Sequence, residues 1–380
     1  MQICMLLLAK YCEGKQPITG VDLQAITQIR ALRDAGHSVT VIARKKTLKS
    51  KYHEVIDGVQ VYRVGPSGLY WLWISLILWQ QRNSFEVVHI LGQRITSLIT
   101  ILLCRLLHIP TVLKTPISRT LIPWFRFDKI LSRKLENLIA RQASAYLTIS
   151  EDIAGQLAAE GFYPARIKRL PNGVDMARFF PIAEKDVLRK KLGLPVHKKL
   201  VLYSGRLVNR KGFDLVLAAW PQIYAACADA HLVVVGGGPP DSAAALQQLA
   251  AGTEQQVTYI GHVPDPAPYL AASDIYLFPS RREGLPNALL EAMSCGCACI
   301  AADIGGCVEL MMPEKTGLLF PAGDAKAMAS AAIRLLRDEC LARKTGEGAH
   351  ALIAAEYELH SVIDRLVALY RACKRASAQN

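Results

Sequence analysis

The sequence has no apolar run long enough to cross a membrane. Its longest apolar block, Leu69 to Trp79, is 11 residues, against ~20 for a spanning helix. The opening stretch, Met1 to Ala9, lacks a basic leader and a small-residue cleavage site. It reads as a buried first strand, and the expected location is the cytoplasm. None of the ten cysteines stands in a CxxC pair, which argues against a disulfide framework and against a Cys-based zinc site. Cys295, Cys297 and Cys299 are spaced as alternate residues entering a buried strand. No tandem repeat or low-complexity tract is visible. No G-x-G-x-x-G follows the first strand, which removes a nicotinamide dehydrogenase from consideration.

Acidic residues are scarce in the first half. Residues 1–178 hold 24 Lys+Arg against 12 Asp+Glu, a net of +12, whereas residues 179–380 hold 21 and 20, a net of +1. Nearly all of the chain's net +13 therefore sits in the first half. The densest basic runs are Arg44, Lys45, Lys46, Lys49, Lys51 and, at helical spacing, Arg126, Lys129, Arg133, Lys134, Arg141. Between them lies the Leu69–Trp79 block with three tryptophans. Basic residues beside aromatic and apolar ones suit an anionic membrane surface. A solvated basic face with an ordinary buried helix is the plain alternative. No nucleic-acid motif is present, so nucleic acid is not an expected partner.

What remains is a chain of 380 residues, 51% of them apolar, enough for two domains with full cores. Strand-like apolar runs alternate with helix-like stretches throughout. In the first half strands are predicted near 2–9, 38–43, 59–64, 86–90, 110–114, 145–149 and 166–170. In the second half they fall near 199–204, 231–236, 256–260, 274–278, 297–301 and 317–320. This βαβα order implies parallel sheets with helices on both faces. The turn signals of Pro171-Asn-Gly-Val-Asp175 and Pro181 mark the seam. The expected division is an N-terminal Rossmann-like domain over 1–175, a C-terminal one over 176–357, and a closing amphipathic helix over 358–380. Open α/β sheets bind ligands at the carboxyl ends of their strands.

Two segments carry chemistry. Ser280-Arg-Arg-Glu-Gly-Leu-Pro-Asn-Ala-Leu-Leu-Glu291 reads as strand end, glycine-containing loop and helix start, with Pro286 suited to the first helical turn. The free N–H groups of such a helix end form a ready anion site. Glu283 and Glu291 are ionised acceptors of the kind that sugar hydroxyls need. Tyr203-Ser-Gly-Arg-Leu-Val-Asn-Arg-Lys-Gly212 also follows an apolar strand. Gly205 permits close backbone approach, while Arg206 and Lys211 supply cationic donors for phosphate. Taken singly, each loop is also compatible with plain surface charge.

Together these segments resemble the retaining glycosyltransferases of family 4, which have the GT-B fold: two Rossmann-like domains facing across a cleft, with a C-terminal helix crossing back to the first domain. Further likenesses are Pro171–Asp175, Gly236-Gly-Gly-Pro239, Ala272–Ser280 and Gly20, which resembles the glycine that approaches the donor phosphates. The resemblance implies transfer of a sugar from a nucleotide diphosphate sugar, UDP-linked or GDP-linked, to a glycan or lipid-linked acceptor. It implies no cofactor and no metal. Arg206 and Lys211 would neutralise the leaving diphosphate. Glu291 would hold the ribose, and Glu283 would contact the transferred sugar. The loop of Gly284, Leu285, Pro286 and Asn287 would offer the backbone N–H groups of all but Pro286, which has none, and Gly261, His262 and Val263 would line the base pocket. Many members carry a His after the fourth N-terminal strand, where this chain has Pro116. Lys114, Thr115 and His89 are the candidates for the acceptor or sugar side. Two other readings stay open: a hydrolysing sugar-nucleotide epimerase and a non-catalytic nucleotide-sugar binding module.

Overall fold

The computed structural model describes residues 1–7, 20–45, 51–65, 70–93, 95–114, 129–251 and 256–378. The chain folds as two compact units, Met1–Gly173 with His360–Asn380, and Val174–Leu359. Thr115 and Pro116, Lys46 and Lys49 of the first basic run, Arg126 of the second, and Leu69 lie outside the described residues.

The first unit is built on strands β1 (Gln2–Leu7), β2 (Ser38–Arg44), β3 (His53–Ile56), β4 (Val59–Val64), β5 (Val87–Leu91), β6 (Thr111–Lys114), β7 (Ala145–Thr148) and β8 (Ile167–Arg169). They form one sheet in the order β3-β4-β2-β1-β5-β6-β7-β8. The helices are α1 (Gly20–Asp34), α2 (Tyr70–Gln80), α3 (Ile95–Leu106), α4 (Lys129–Ala140) and α5 (Glu151–Ala159). Every pairing is parallel except β3 with β4. That hairpin departs from the all-parallel expectation. It turns at Asp57 and Gly58, both at positive φ (50° and 77°), as a two-residue turn between antiparallel strands requires. One apolar core joins Cys4, Leu6, Val88, Ile90 and Leu113 of the sheet to Ile77, Leu78, Leu98, Ile101 and Ala140 of the helices. Fully burying each Leu or Ile contributes about 1.5–3 kcal/mol.

The second unit carries α6 (Lys185–Lys191), β9 (Lys199–Ser204), α7 (Phe213–Ala226), β10 (Ala230–Val235), α8 (Pro240–Ala251), β11 (Val257–Gly261), α9 (Ala267–Ala272) and β12 (Ile275–Phe278). It continues with α10 (Asn287–Ser294), β13 (Ala298–Ala302), α11 (Gly305–Leu310), β14 (Leu318–Phe320), α12 (Ala325–Arg337) and α13 (Glu339–Leu352). Its sheet is wholly parallel, in the order β11-β10-β9-β12-β13-β14. From β9 the chain steps outward through β10 and β11, then returns to place β12 on the other side of β9. The winding direction therefore reverses between β9 and β12. Such a reversal of strand order is where open α/β sheets bind ligands, beyond the carboxyl ends of the strands. Trp220 of α7 and Met328 and Leu335 of α12 pack with Val201, Val234, Leu277 and Ile300 of the sheet.

The closing helix α14 (Leu359–Ala378) belongs from His360 onward to the first unit. Its Tyr370 hydroxyl meets His89 Nδ1 at 2.6 Å in the core. Lys374 pairs with Glu86 at the surface.

Candidate active site

The crevice of the second unit gathers five loops, one after each of β9 to β13. Backbone bonds tie neighbours together. Gly205 N–H donates to Val235 O (2.9 Å), Leu207 N–H to Gly237 O (3.0 Å), Gly236 N–H to Gly261 O (2.7 Å) and Arg281 N–H to Arg210 O (3.0 Å). The glycines matter because the loops touch backbone to backbone. At Gly212, φ is +71° and an added Cβ would lie 1.9 Å from Pro279 O; at Gly306 it would lie 1.5 Å from Gly284 O. No side chain larger than hydrogen fits at either point without moving the loop.

Glu283 stands at the centre of this edge, after β12. Lys211 Nζ donates to Glu283 Oε1 at 2.5 Å, and Ser280 Oγ donates to the same oxygen at 2.7 Å. The Arg210 guanidinium reaches it at 3.7 Å. The carboxylate side chain is only 14% exposed, so its charge is held by partners and not by bulk water. Arg281 is turned away from Glu283, in a two-pronged pair with Asp214 (2.7 and 2.6 Å). That pair lowers the Asp214 carboxyl below its ordinary range through the guanidinium hydrogen bonds. Arg206 is exposed and makes no side-chain bond among the described residues. It is a guanidinium fork presented at the carboxyl end of β9 with its donors unspent.

Helix α10 opens at Asn287, with Pro286 as its cap residue and no side chain capping it. Pro286 thus precedes the helix, one place before the predicted first-turn position. The N–H groups of Leu289 and Leu290 both donate to Pro286 O (3.1 Å each), and the positive end of the α10 dipole faces the carboxyl edge of the sheet. Gly284, Leu285 and Pro286 are buried beneath the loop. Glu291 lies one turn into α10. Burial pushes its carboxyl up to about 7, with Arg178 opposing the shift and Asp265 adding to it. No described residue hydrogen-bonds the Glu291 carboxylate. Arg178 is instead held by Asp265 at 2.8 Å. Gly261 closes β11 at φ +81°; His262 after it is exposed and Val263 half-buried.

The crevice therefore brings Arg206, Lys211, Glu283 and the start of α10 to one sheet edge, at the point where the strand order reverses. Reading the sequence missed four contributors. Arg210 and Ser280 both support Glu283, while Gly305 and Gly306 let α11 seat against the Glu283–Gly284 backbone. The Gly-Gly pair after β13 was the available signal. A cavity of about 610 Å³ lies elsewhere in this unit, at the amino edge of the sheet. Its charged lining is already paired internally, Lys199 with Glu339 at 2.9 Å and Arg189 with Asp274 at 2.7 Å.

Family models match both halves of the chain. One described as "Glycosyl transferase 4-like domain" covers residues 19–173, and one described as "Glycosyl transferases group 1" covers residues 198–338. The chain belongs to glycosyltransferase family 4. A GDP-mannose-dependent monoacylated alpha-(1-6)-phosphatidylinositol monomannoside mannosyltransferase of Corynebacterium glutamicum is 34% identical over 220 residues, 55% of this chain and 57% of that protein. The aligned stretch thus spans little more than half of that relative. A phosphatidyl-myo-inositol mannosyltransferase of Mycolicibacterium smegmatis is 29% identical over 338 residues, 85% of this chain and 82% of that protein. The structure of Anabaena Alr3699/HepE in complex with UDP superposes with a TM-score of 0.80 at 19% identity, over 98% of this chain and 100% of that one. The fold is GT-B.

In the first unit the family 4 chain places its candidates differently from one another. Gly20 begins α1, the helix that follows β1. Lys114 ends β6, and its ammonium donates to Asn172 Oδ1 at 2.9 Å. Burial pushes that amine down to about 8, so it titrates close to neutrality. His89 is fully buried, and burial drives its ring down to about 3. Neutral and locked to Tyr370, it anchors α14 in the core, which corrects the reading of it as an acceptor-side residue. The cysteine trio is buried. Cys297 and Cys299 point their thiols at the backbone carbonyls of Leu270 and Cys297. Burial raises both thiols. Among the described residues no three His, Cys, Asp or Glu side chains group as a metal site.

Proposed function

We propose that this protein transfers a sugar from a nucleotide diphosphate sugar to an acceptor hydroxyl, with the anomeric configuration retained and without a metal. The observation that carries the reading is the crevice edge itself. Unspent cationic donors (Arg206), a cation on a mostly buried carboxylate (Lys211 on Glu283) and the start of α10 come together where the winding reverses. Bond breaking builds negative charge on the diphosphate and positive charge on the sugar. Arg206, Lys211 and the positive end of the α10 dipole stabilise the first, in a setting where preformed donors need no reorganisation. Glu283, held by Lys211 and Ser280, is placed to stabilise the second. The departing phosphate oxygen can take the acceptor's proton, so no separate protein base is required. Glu291 accepts from the ribose, and Gly261, His262 and Val263 face the base. The positive charge that a metal would bring is supplied by side chains.

The donor is a UDP-sugar by preference, with a GDP-sugar the alternative favoured by the name of the mannosyltransferase relative. The acceptor is a glycan or lipid-linked glycan, in cell-surface polysaccharide or glycolipid assembly. It is handled by the basic first unit, with Lys114 as its cationic contact, at the inner face of the membrane. The test is turnover of a panel of sugar nucleotides with and without EDTA, with the product anomer read by NMR. Replacing Arg206 by Ala should raise the barrier by about 2.7–4 kcal/mol, as for loss of one oxyanion donor. Wild-type turnover in Arg206→Ala, or activity lost to EDTA, would sink the assignment.

A further inference from the structure

Helices α2, α3 and α4 lie side by side on one face of the first unit's sheet, α3 between the other two. Their inner sides join a single core through residues such as Ile77, Ile101 and Ala140. Their outer sides are not polar. On α2, Leu72, Trp73, Leu76 and Trp79 are 44–52% exposed; on α3, Leu102 and Leu106 reach 45% and 72%. On α4, Leu135 and Leu138 are 47% and 54% exposed. Each set repeats at three- or four-residue spacing, so each helix carries a second apolar stripe opposite the one it buries. Exposed Tyr52 packs against Trp73 (5.7 Å between ring centroids) and extends the patch to the β3 edge. Isolated surface leucines are ordinary, but three adjoining stripes mark an interaction surface.

Charge says what it meets. Residues 58–127 contain seven Lys+Arg and a single acidic residue, Glu86, which is engaged by Lys374 and the Gln2 N–H. Helices α2 and α3 carry no carboxylate at all. The Arg82 guanidinium lies over the Trp79 ring, 4.8 Å from its centroid. Arg105 stands beside Leu106, and Lys134 beside Leu135; both cations are exposed. Two copies meeting through this face would bring like charges together. No helix of the described chain is long and apolar enough to span a bilayer. Side-by-side helices with tryptophan, leucine and a cationic fringe instead suit shallow insertion at the headgroup–acyl boundary.

We propose that the outward face of α2, α3 and α4 is a docking surface for an anionic bilayer. Leu72, Trp73, Leu76, Trp79 and Leu106 enter the boundary, and Arg82, Arg105 and Lys134 meet lipid phosphates. This deepens the membrane part of the proposed function, and it fails separately from the catalytic part because the assay reads lipid and not transfer. The experiment is co-flotation of the full chain with phosphatidylglycerol-rich vesicles and with pure phosphatidylcholine vesicles, at low and high salt. Expected is binding to the anionic vesicles, weakened but not abolished by salt, with tryptophan fluorescence quenched by brominated lipid. The double variant Leu76→Glu, Leu106→Glu should bind about tenfold more weakly or worse, since each change sets a charge where acyl chain would sit. Its melting temperature should match wild type, which shows that the fold is intact; Trp79→Ser, which adds no charge, serves as a milder second variant. Failure to float with anionic vesicles at low salt would overturn the proposal. So would undiminished binding by both variants, or a stable dimer in sedimentation that the variants dissolve.

Discussion

Glu291 makes donor binding depend on pH in a way that can be worked out beforehand. Its carboxyl is pushed up to about 7 by burial, and in the proposed role it accepts from both ribose hydroxyls at once, which needs both oxygens free of a proton. The competent fraction is then about one in ten at pH 6 and about nine in ten at pH 8, and apparent affinity scales with that fraction. The dissociation constant should therefore fall roughly tenfold between these values, about 1.4 kcal/mol. The probes are UDP-glucose and GDP-mannose, diesters whose phosphates do not titrate in this range, followed by calorimetry. Glu291→Gln should bind weakly and lose the slope. A flat wild-type profile, or the same slope in Glu291→Gln, would refute the reasoning.

The glycine contacts and the buried histidine yield further expectations. Gly306→Ala forces a methyl against Gly284 O, so it should lower stability by about 1–3 kcal/mol and weaken sugar-nucleotide binding more than Gly155→Ala weakens it, Gly155 having open space around it and no left-handed backbone. Thermal melts with and without UDP-glucose check both. Tyr370→Phe removes the partner of buried His89 and should cost about 1–3 kcal/mol in urea unfolding. His89 is held neutral, down to about 3 from an ordinary 6.5. The unfolded chain takes up a proton that the folded ring refuses, so stability from this group is complete above 6.5 and is lost as pH falls towards 3. The slope is up to about 1.4 kcal/mol per pH unit. Urea midpoints measured across that window should flatten in His89→Gln.

Local punctuation made the carboxyl-edge loops of the second unit readable from the chain alone. Arg206 and Lys211 follow an apolar run that could only be a strand, and Glu283 precedes a helix start marked by Pro286. Strand–loop–helix order puts such residues on a carboxyl edge without any knowledge of neighbours. Pairing order was not local. That β9 and β12 lie side by side, so that the two loops flank one crevice, emerges only in the folded sheet. The β3–β4 hairpin was overlooked because His53–Ile56 is short and half polar, although Asp57-Gly58 was a turn signal. The Leu69–Trp79 block gave no usable periodicity, being apolar almost all round. Which of its residues face the core is decided by the sheet beneath α2, and the split into buried Ile74, Ile77 and Leu78 and exposed Leu72, Trp73, Leu76 and Trp79 could not be read beforehand. His89 pairs with a residue 281 positions away, a contact that no spacing argument reaches.

The most direct measurement is a metal-free titration of UDP-, GDP- and ADP-sugars into wild type, Arg206→Ala and Lys211→Ala, read by thermal shift. A ligand that binds only the folded chain raises its melting temperature by mass action. One nucleotide should stabilise wild type selectively, and both substitutions should abolish most of that shift; the ligand-free melt should stay within a degree or two of wild type for exposed Arg206→Ala (about 0–1 kcal/mol) and fall further for Lys211→Ala, which takes a partner from the mostly buried Glu283 carboxylate. A shift of the same size in all three proteins would contradict the placement of the diphosphate between the β9 and β12 loops. No shift with any sugar nucleotide in wild type would contradict a donor site in this crevice.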